Sequence, residues 1–262
     1  MALRQVVVGV DGSLSAVRAL DRASEEAVLR GAALNILYAV PDADIAGPVL
    51  ASSAVRVRNR HPGLAFTSVA VVDSPVRALL RHGQDAELTV VGSRGLGGIV
   101  GLVAGSVSRR LAARIRGPLL VVRGGRADPE GEVLLWPSGA ADLDAAAFAF
   151  AEADFRGKRL HVLAPEAAPH VVPCRREPVS DNGPGCPAGR EGAGVPAAGP
   201  PPGRGGSAAE LSTEPGLLGR TRGAALIVVG AHRARYRPGA GAGRRLLRRS
   251  HCPVVIVPGG NT

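Results

Sequence analysis

Aromatic side chains are nearly missing from this chain: one Trp, two Tyr and four Phe in 262 residues. Any core must therefore be built from Val, Leu, Ile and Ala, and the 45% hydrophobic content is enough to build one. Lysine is scarcer still, since Lys158 is the only lysine among 32 basic residues. Arginine, Ala, Gly and Pro are all heavy, the mark of a GC-biased coding sequence, and the net charge of +10 is discounted on that ground. The three cysteines, Cys174, Cys186 and Cys252, are odd in number and form no C-x-x-C, which argues against a disulfide framework or a zinc site. Metal-type clusters of His, Asp and Glu are absent as well. No apolar run approaches the ~18 residues of a membrane span. Met1 to Val10 runs into a strand without a charged-then-apolar leader, so a soluble cytoplasmic protein without membrane contact is expected.

Several phosphate and nucleophile signatures are missing too. There is no G-x-x-x-x-G-K-[ST] loop and no G-x-G-x-x-G after the first strand. No G-x-S-x-G elbow occurs, and Ser93 has no evident His partner.

What is present is a glycine loop in a specific setting. Leu88, Val90 and Val91 read as a buried strand. Gly92, Gly95, Gly97 and Gly98 follow, and Gly105-Ser106 opens a helix read over Val107 to Arg116 and stopped by Gly117-Pro118. Glycines let backbone amides approach a polyanion without a Cβ in the way, and a helix start adds unpaired N–H groups. Ser106 can cap that helix or donate to a phosphate oxygen.

Around this loop the chain alternates strands and helices. Strands are read at Gln5 to Val10, Leu34 to Val40, Leu64 to Val72, Leu88 to Val91 and Leu119 to Val122. Helices are read from Ser13 or Ser15 to Arg30 before Gly31, from Val49 to Arg60, and from the Asp73-Ser74-Pro75 start to about Arg81. Such alternation implies parallel pairing, with ligands at the carboxyl ends of strands. Asp11 and Gly92 share a crevice if the first and fourth strands are neighbours.

The pattern repeats imperfectly. Val6 to Val8 corresponds to Val133 to Leu135, Leu88 to Gly92 to Leu226 to Gly230, and Pro118 to Val122 to Pro253 to Val257. The polar groups are not repeated: Asp11 falls on Ser138, Gly92-x-x-Gly95 on Gly230-x-x-Arg233, and Gly105-Ser106 on Ala240-Gly241. Pro173 to Gly206 is dense in Pro and Gly and is expected to be disordered or irregular, in place of a second helix and third strand. Arg220 to Arg249 holds nine arginines, no acid and only Tyr236 as an aromatic; a solvated basic face is expected there rather than a nucleic-acid groove.

Residues 5–123 resemble a universal stress protein domain, on Val8-Gly9-Val10-Asp11-Gly12-Ser13, Leu88 to Ser93, Gly92-x-x-Gly95-x9-Gly105-Ser106 and the closing Pro118 to Val122. Residues 130–262 resemble a degenerate second copy. The resemblance implies an α/β fold of two tandem open parallel five-stranded sheets, each of order 3-2-1-4-5 and flanked by helices, in domains 1–125 and 126–262. It implies ATP, with or without Mg, as the ligand of the first. Asp11 would face the ribose or a metal-bridged phosphate, and Val40 would offer its backbone to adenine. Gly92, Arg94, Gly95, Gly98, Gly105 and Ser106 would hold ribose and phosphates, with Gly9, Ser93 and Val107 completing the site. Pairing through the last strands would make an internal pseudo-dimer, with homodimers and an unnamed protein partner also open. The expected role is an ATP-binding regulatory module of the bacterial stress response. A slow ATPase or other nucleotide-dependent enzyme and an arginine-rich nucleic-acid binder are the alternatives. Asp11 is the only candidate acid near the loop, which favours binding over turnover.

Overall fold

The computed structural model describes residues 4–94, 106–123, 128, 130–137, 142–165, 208–212, 214–231 and 242–259. The first half runs β1 (Gln5–Gly9), α1 (Leu14–Arg30), β2 (Ala33–Val40), α2 (Gly47–Arg60), β3 (Phe66–Val72), α3 (Pro75–His82), β4 (Leu88–Gly92), α4 (Ser106–Ala112) and β5 (Leu119–Val122). The second runs β6 (Glu132–Trp136), α5 (Leu143–Arg156), β7 (Leu160–Pro165), β8 (Ala208–Ser212), α6 (Glu214–Arg220), β9 (Ala224–Ala231), α7 (Ala242–Arg249) and β10 (Val254–Pro258).

Local chemistry sets the first helix. Ser13 is the N-cap, its Oγ accepting from Ala16 N at 3.1 Å. Gly31 ends the helix in the left-handed region, at φ 58°, where a side chain would be strained. The sequence left Ser13 and Ser15 as alternative caps; Ser15 takes a different task described below.

All ten strands among the described residues join one sheet, in the order β3-β2-β1-β4-β5-β10-β9-β6-β7-β8. The first five follow the expected 3-2-1-4-5 order with parallel pairing. The two expected sheets are one, because β5 and β10 pair antiparallel, with Val121 opposite Val254 and Leu119 opposite Ile256. Backbone groups that would have lined two free edges are hydrogen-bonded to each other instead.

The strands are apolar on both faces, as buried parallel strands must be. Val6, Val8, Leu88, Val90 and Leu120 point to the side packed by Ala19, Ala23 and Ala27 of α1 and Ala145, Ala149 and Ala153 of α5. Val7, Val91, Leu119 and Val121 point to the other side, packed by Leu79 of α3, Leu111 of α4, Leu217 of α6 and Leu246 of α7.

Three expectations are corrected. A third strand of the second half does exist, as β8 pairs parallel with β7 from His161↔Ala208 to Pro165↔Ser212. Ala-Ala-Glu-Leu-Ser has little strand propensity of its own, and the sheet edge recruits it. The fourth helix stops at Ala112, short of Arg116. There the chain tightens so that the Leu111 carbonyl accepts from both Arg114 N and Ile115 N, and Ile115 is buried. The third strand begins at Phe66 rather than Leu64. The Pro173 to Gly206 stretch lies outside the described residues.

The halves are also joined off the sheet. Glu26 and Arg30 of α1 meet Glu152 and Arg156 of α5, all four nearly or fully buried, in a closed set of ion pairs. Arg123, just past β5, donates to the carbonyls of Leu247 and Arg248 at the end of α7, the latter at 2.6 Å.

Candidate functional site

Parallel pairing of β1 with both β2 and β4 puts the carboxyl ends of three strands side by side, with Gly9 opposite Leu37 and Val8 opposite Val90. Val40 ends β2, Gly9 ends β1 and Gly92 ends β4. Asp11 follows β1 into a turn at Gly12, whose φ of 81° suits glycine. The half-buried Asp11 carboxylate accepts from Ser13 N at 3.0 Å, which sets the entry into α1. Asp11 and Gly92 thus stand at neighbouring strand ends, as the crevice reading requires.

The individual positions carry more detail than their spacing reveals. A Cβ on Gly92 would lie 2.5 Å from Ser15 Oγ and 2.9 Å from the Ser15 carbonyl carbon and oxygen. Glycine is therefore needed there for the approach of α1 to β4, whatever else the position does. A Cβ on Gly9 would lie 3.0 Å from Leu79 Cδ1, a tight contact with a side chain of α3 and not with its backbone. Ser93 is buried and its N donates to Val122 O at 2.9 Å, within the sheet. Arg94 is exposed, and its N donates to Ser15 Oγ at 3.2 Å. The first two amides of the loop are thus engaged inside the protein. Ser15 is the residue the sequence did not single out for this place; only its choice against Ser13 as a cap hinted at a second role.

Val40 is buried at 2% exposure, leaving its backbone as the group at that strand end. Ser106 is exposed at the start of α4, and Val107 is half-buried against the α3–α4 side of the core. Gly95, Gly98 and Gly105 lie outside the described residues, as do Ser138, Arg233, Ala240 and Gly241 of the second half. Among the described residues no group of three His, Cys, Asp or Glu side chains could hold a metal ion. No helix among them is long and apolar enough to cross a membrane.

The corresponding place in the second half differs in charge. Gly230, near the end of β9, faces the buried Asp142 carboxylate, where Gly92 faces the Ser15 hydroxyl. A groove lined by Leu50, Ala54, Val55, Arg58 and Phe66 opens elsewhere, between α2 and β3.

The sequence of residues 2–123 matches the universal stress protein family. Through these residues the chain belongs to that family. A universal stress protein of Mycobacterium tuberculosis (strain H37Rv) is 38% identical over 132 residues, a match covering 45% of this chain and 44% of the relative. Another from the same strain is 35% identical over 132 residues, covering 45% of each chain. The match spans less than half the length of these relatives. A universal stress protein of Archaeoglobus fulgidus superposes on 99% of this chain and 100% of its own, with a TM-score of 0.64 at 13% identity, a likeness of fold. A universal stress protein solved in complex with cAMP aligns with 47% of this chain and 98% of its own, at 32% identity and a TM-score of 0.39.

Proposed function

We propose that the universal stress protein domain binds ATP at the carboxyl ends of β2, β1 and β4 and acts as a regulatory module of a stress response. The observation that carries this reading is the adjacency of Asp11 to Gly92 across the β1–β4 pair, with Val40 ending the next strand. Adenine would meet the Val40 backbone, and the ribose hydroxyls or a metal-bridged phosphate would meet Asp11. Phosphates would meet Ser106 and the motif glycines Gly95, Gly98 and Gly105, with Arg94 as the nearby cation. Ser93 and Arg94 offer no spare amide, so phosphate contacts would fall further along the loop.

The second half is read as a copy of the same unit that has lost its ligand. The Asp142 side chain beside Gly230 supports this, since it occupies the space at that strand end where the first half has the Ser15 hydroxyl. Nucleotide loading of the first half would then alter contacts with a protein partner, which requires different affinities in two conformations.

Calorimetric titration of the full chain with ATP tests the proposal. The expected result is one nucleotide per chain, with Asp11→Ala weakening binding at least tenfold. Two nucleotides per chain, or Asp11→Ala binding like wild type, would count against it. Parallel titrations with AMP and cAMP show whether the terminal phosphates contribute. Sustained phosphate release lost in Asp11→Asn would move the reading to an ATPase.

A further inference from the structure

The arginines of this protein are not paired alike on its two sides. On the α1–α2–α5 side, Arg22, Arg30 and Arg156 meet Glu26 or Glu152, and Arg56 and Arg60 meet Asp21. On the other side, α3 holds Arg77 and Arg81 against Asp73. The two helices between α3 and α6 are different. Arg109 and Arg110 of α4, Arg114 and Arg116 just after it, and Arg248 and Arg249 of α7 are exposed. None of these six has a carboxylate partner among the described residues, and neither α4 nor α7 contains an acid. The fold brings them together. Leu111 and Ala112 of α4 share one core with Leu246 and Leu247 of α7, over the paired strands β5 and β10. Arg123 fastens the end of α7 to the end of β5. One basic surface therefore straddles the seam between the halves, drawn from both.

We infer that this α4–α7 surface binds the phosphate backbone of duplex nucleic acid, without reading its sequence. The guanidinium fork suits phosphate oxygens better than an ammonium does. Two neighbouring features select this polyanion over others. The large exposed apolar residues among those described, such as Leu14, Val28, Val72, Phe150 and Phe155, lie off α3, α4, α6 and α7, so the described part of the surface offers no anchor of the kind a membrane-bound helix needs. Among the described residues these helices show no exposed aromatic ring either, so the described surface offers no stacking platform for single strands. The sequence pointed to a solvated face because it showed only the Arg220 to Arg249 run; α4 supplies the other half of the surface.

The test is fluorescence anisotropy of the full chain with a labelled, mixed-sequence DNA duplex of about 20 base pairs, across salt from about 50 to about 200 mM. Six phosphate contacts predict a fall in affinity of about 10³-fold over that range. The triple variant Arg109→Ser/Arg110→Ser/Arg114→Ser should lower the slope of log affinity against log salt by about 3, and Arg248→Ser/Arg249→Ser by about 2. Arg18→Ser/Arg58→Ser, exposed on the other side, should leave it unchanged. No binding at the lowest salt, a slope indifferent to the α4 and α7 variants, or tighter binding to phosphatidylserine vesicles than to the duplex would each overturn the inference. Circular dichroism of each variant separates lost binding from lost fold.

Discussion

Arg30 on α1 donates to Glu152 on α5, across the boundary between the two halves. Arg156 returns the contact to Glu26, and within each helix Glu and Arg pair four residues apart. The result is a buried ring of alternating charge, with Arg22 as a further partner of Glu26 at 2.9 Å. Burial pushes Glu26 up, but Arg156, Arg22 and Arg30 outweigh it and hold the carboxyl below the ordinary range. At Glu152 burial prevails over Arg156 and Arg30, and the carboxyl is raised.

Removing one member should expose how the ring works. Glu26→Gln leaves the guanidinium charge of Arg22, Arg30 and Arg156 uncompensated and should cost about 3–5 kcal/mol in urea unfolding. Replacing all four by apolar residues of similar size should cost far less or stabilise. A loss under about 1 kcal/mol in the single variant would refute the account.

The signs at the two glutamates are opposite. The lowered Glu26 contributes stability above the ordinary carboxylate pKa of 4.5, lost as pH falls through its lower folded value. The raised Glu152 favours folding at low pH and loses that contribution as pH rises through its folded value. Glu26→Gln should therefore flatten the acid limb of the stability profile and Glu152→Gln should steepen it, read from denaturant midpoints between about pH 3 and pH 7.

Gly92→Ala should destabilise by about 1–3 kcal/mol, because the new methyl meets the Ser15 backbone as well as its hydroxyl. Adding Ser15→Ala relieves only the hydroxyl contact at 2.5 Å and should restore part of the loss. Full recovery in the double variant would show that the backbone contact is slack. Substitution at Gly92 is for the same reason a poor probe of ligand binding.

Cys252 is fully buried, and burial pushes its thiol up to about 11. In a Cys174→Ser/Cys186→Ser background, a thiol reagent at pH 8 should react only on unfolding. Stability present below the ordinary value of 9.0 should decline as pH rises toward 11. Rapid labelling of the native protein would contradict the burial.

Arg123→Ala removes two charge-assisted bonds to the Leu247 and Arg248 carbonyls at the end of α7. A loss of about 2–3 kcal/mol, with faster amide exchange in α7 than in β1, is expected. Uniform exchange across both elements would argue against a local role.

Much of the first half could be read beforehand because its strands are bounded apolar runs and its helix ends are marked by Ser13, Gly31 and Pro75. β8 escaped because its five residues become a strand only beside β7. The neighbouring strand ends of Asp11 and Gly92 were legible, but the reason for Gly92 was not, since its neighbour Ser15 is distant in sequence. The Glu–Arg spacings in α1 and α5 are visible in the sequence, yet nothing there says that the two helices face each other. The basic surface was half seen for the same reason: charge along the chain is legible, and charge gathered from two helices is not.

Antiparallel pairing at β5 and β10 reverses direction halfway across the sheet. The strand ends that hold Asp11 and Gly92 open on one rim, and those near Gly230 open on the other. The first-half crevice position and its second-half counterpart therefore face away from each other across the sheet. The path between the two rims runs through the β5–β10 seam, beneath the arginines of α4 and α7.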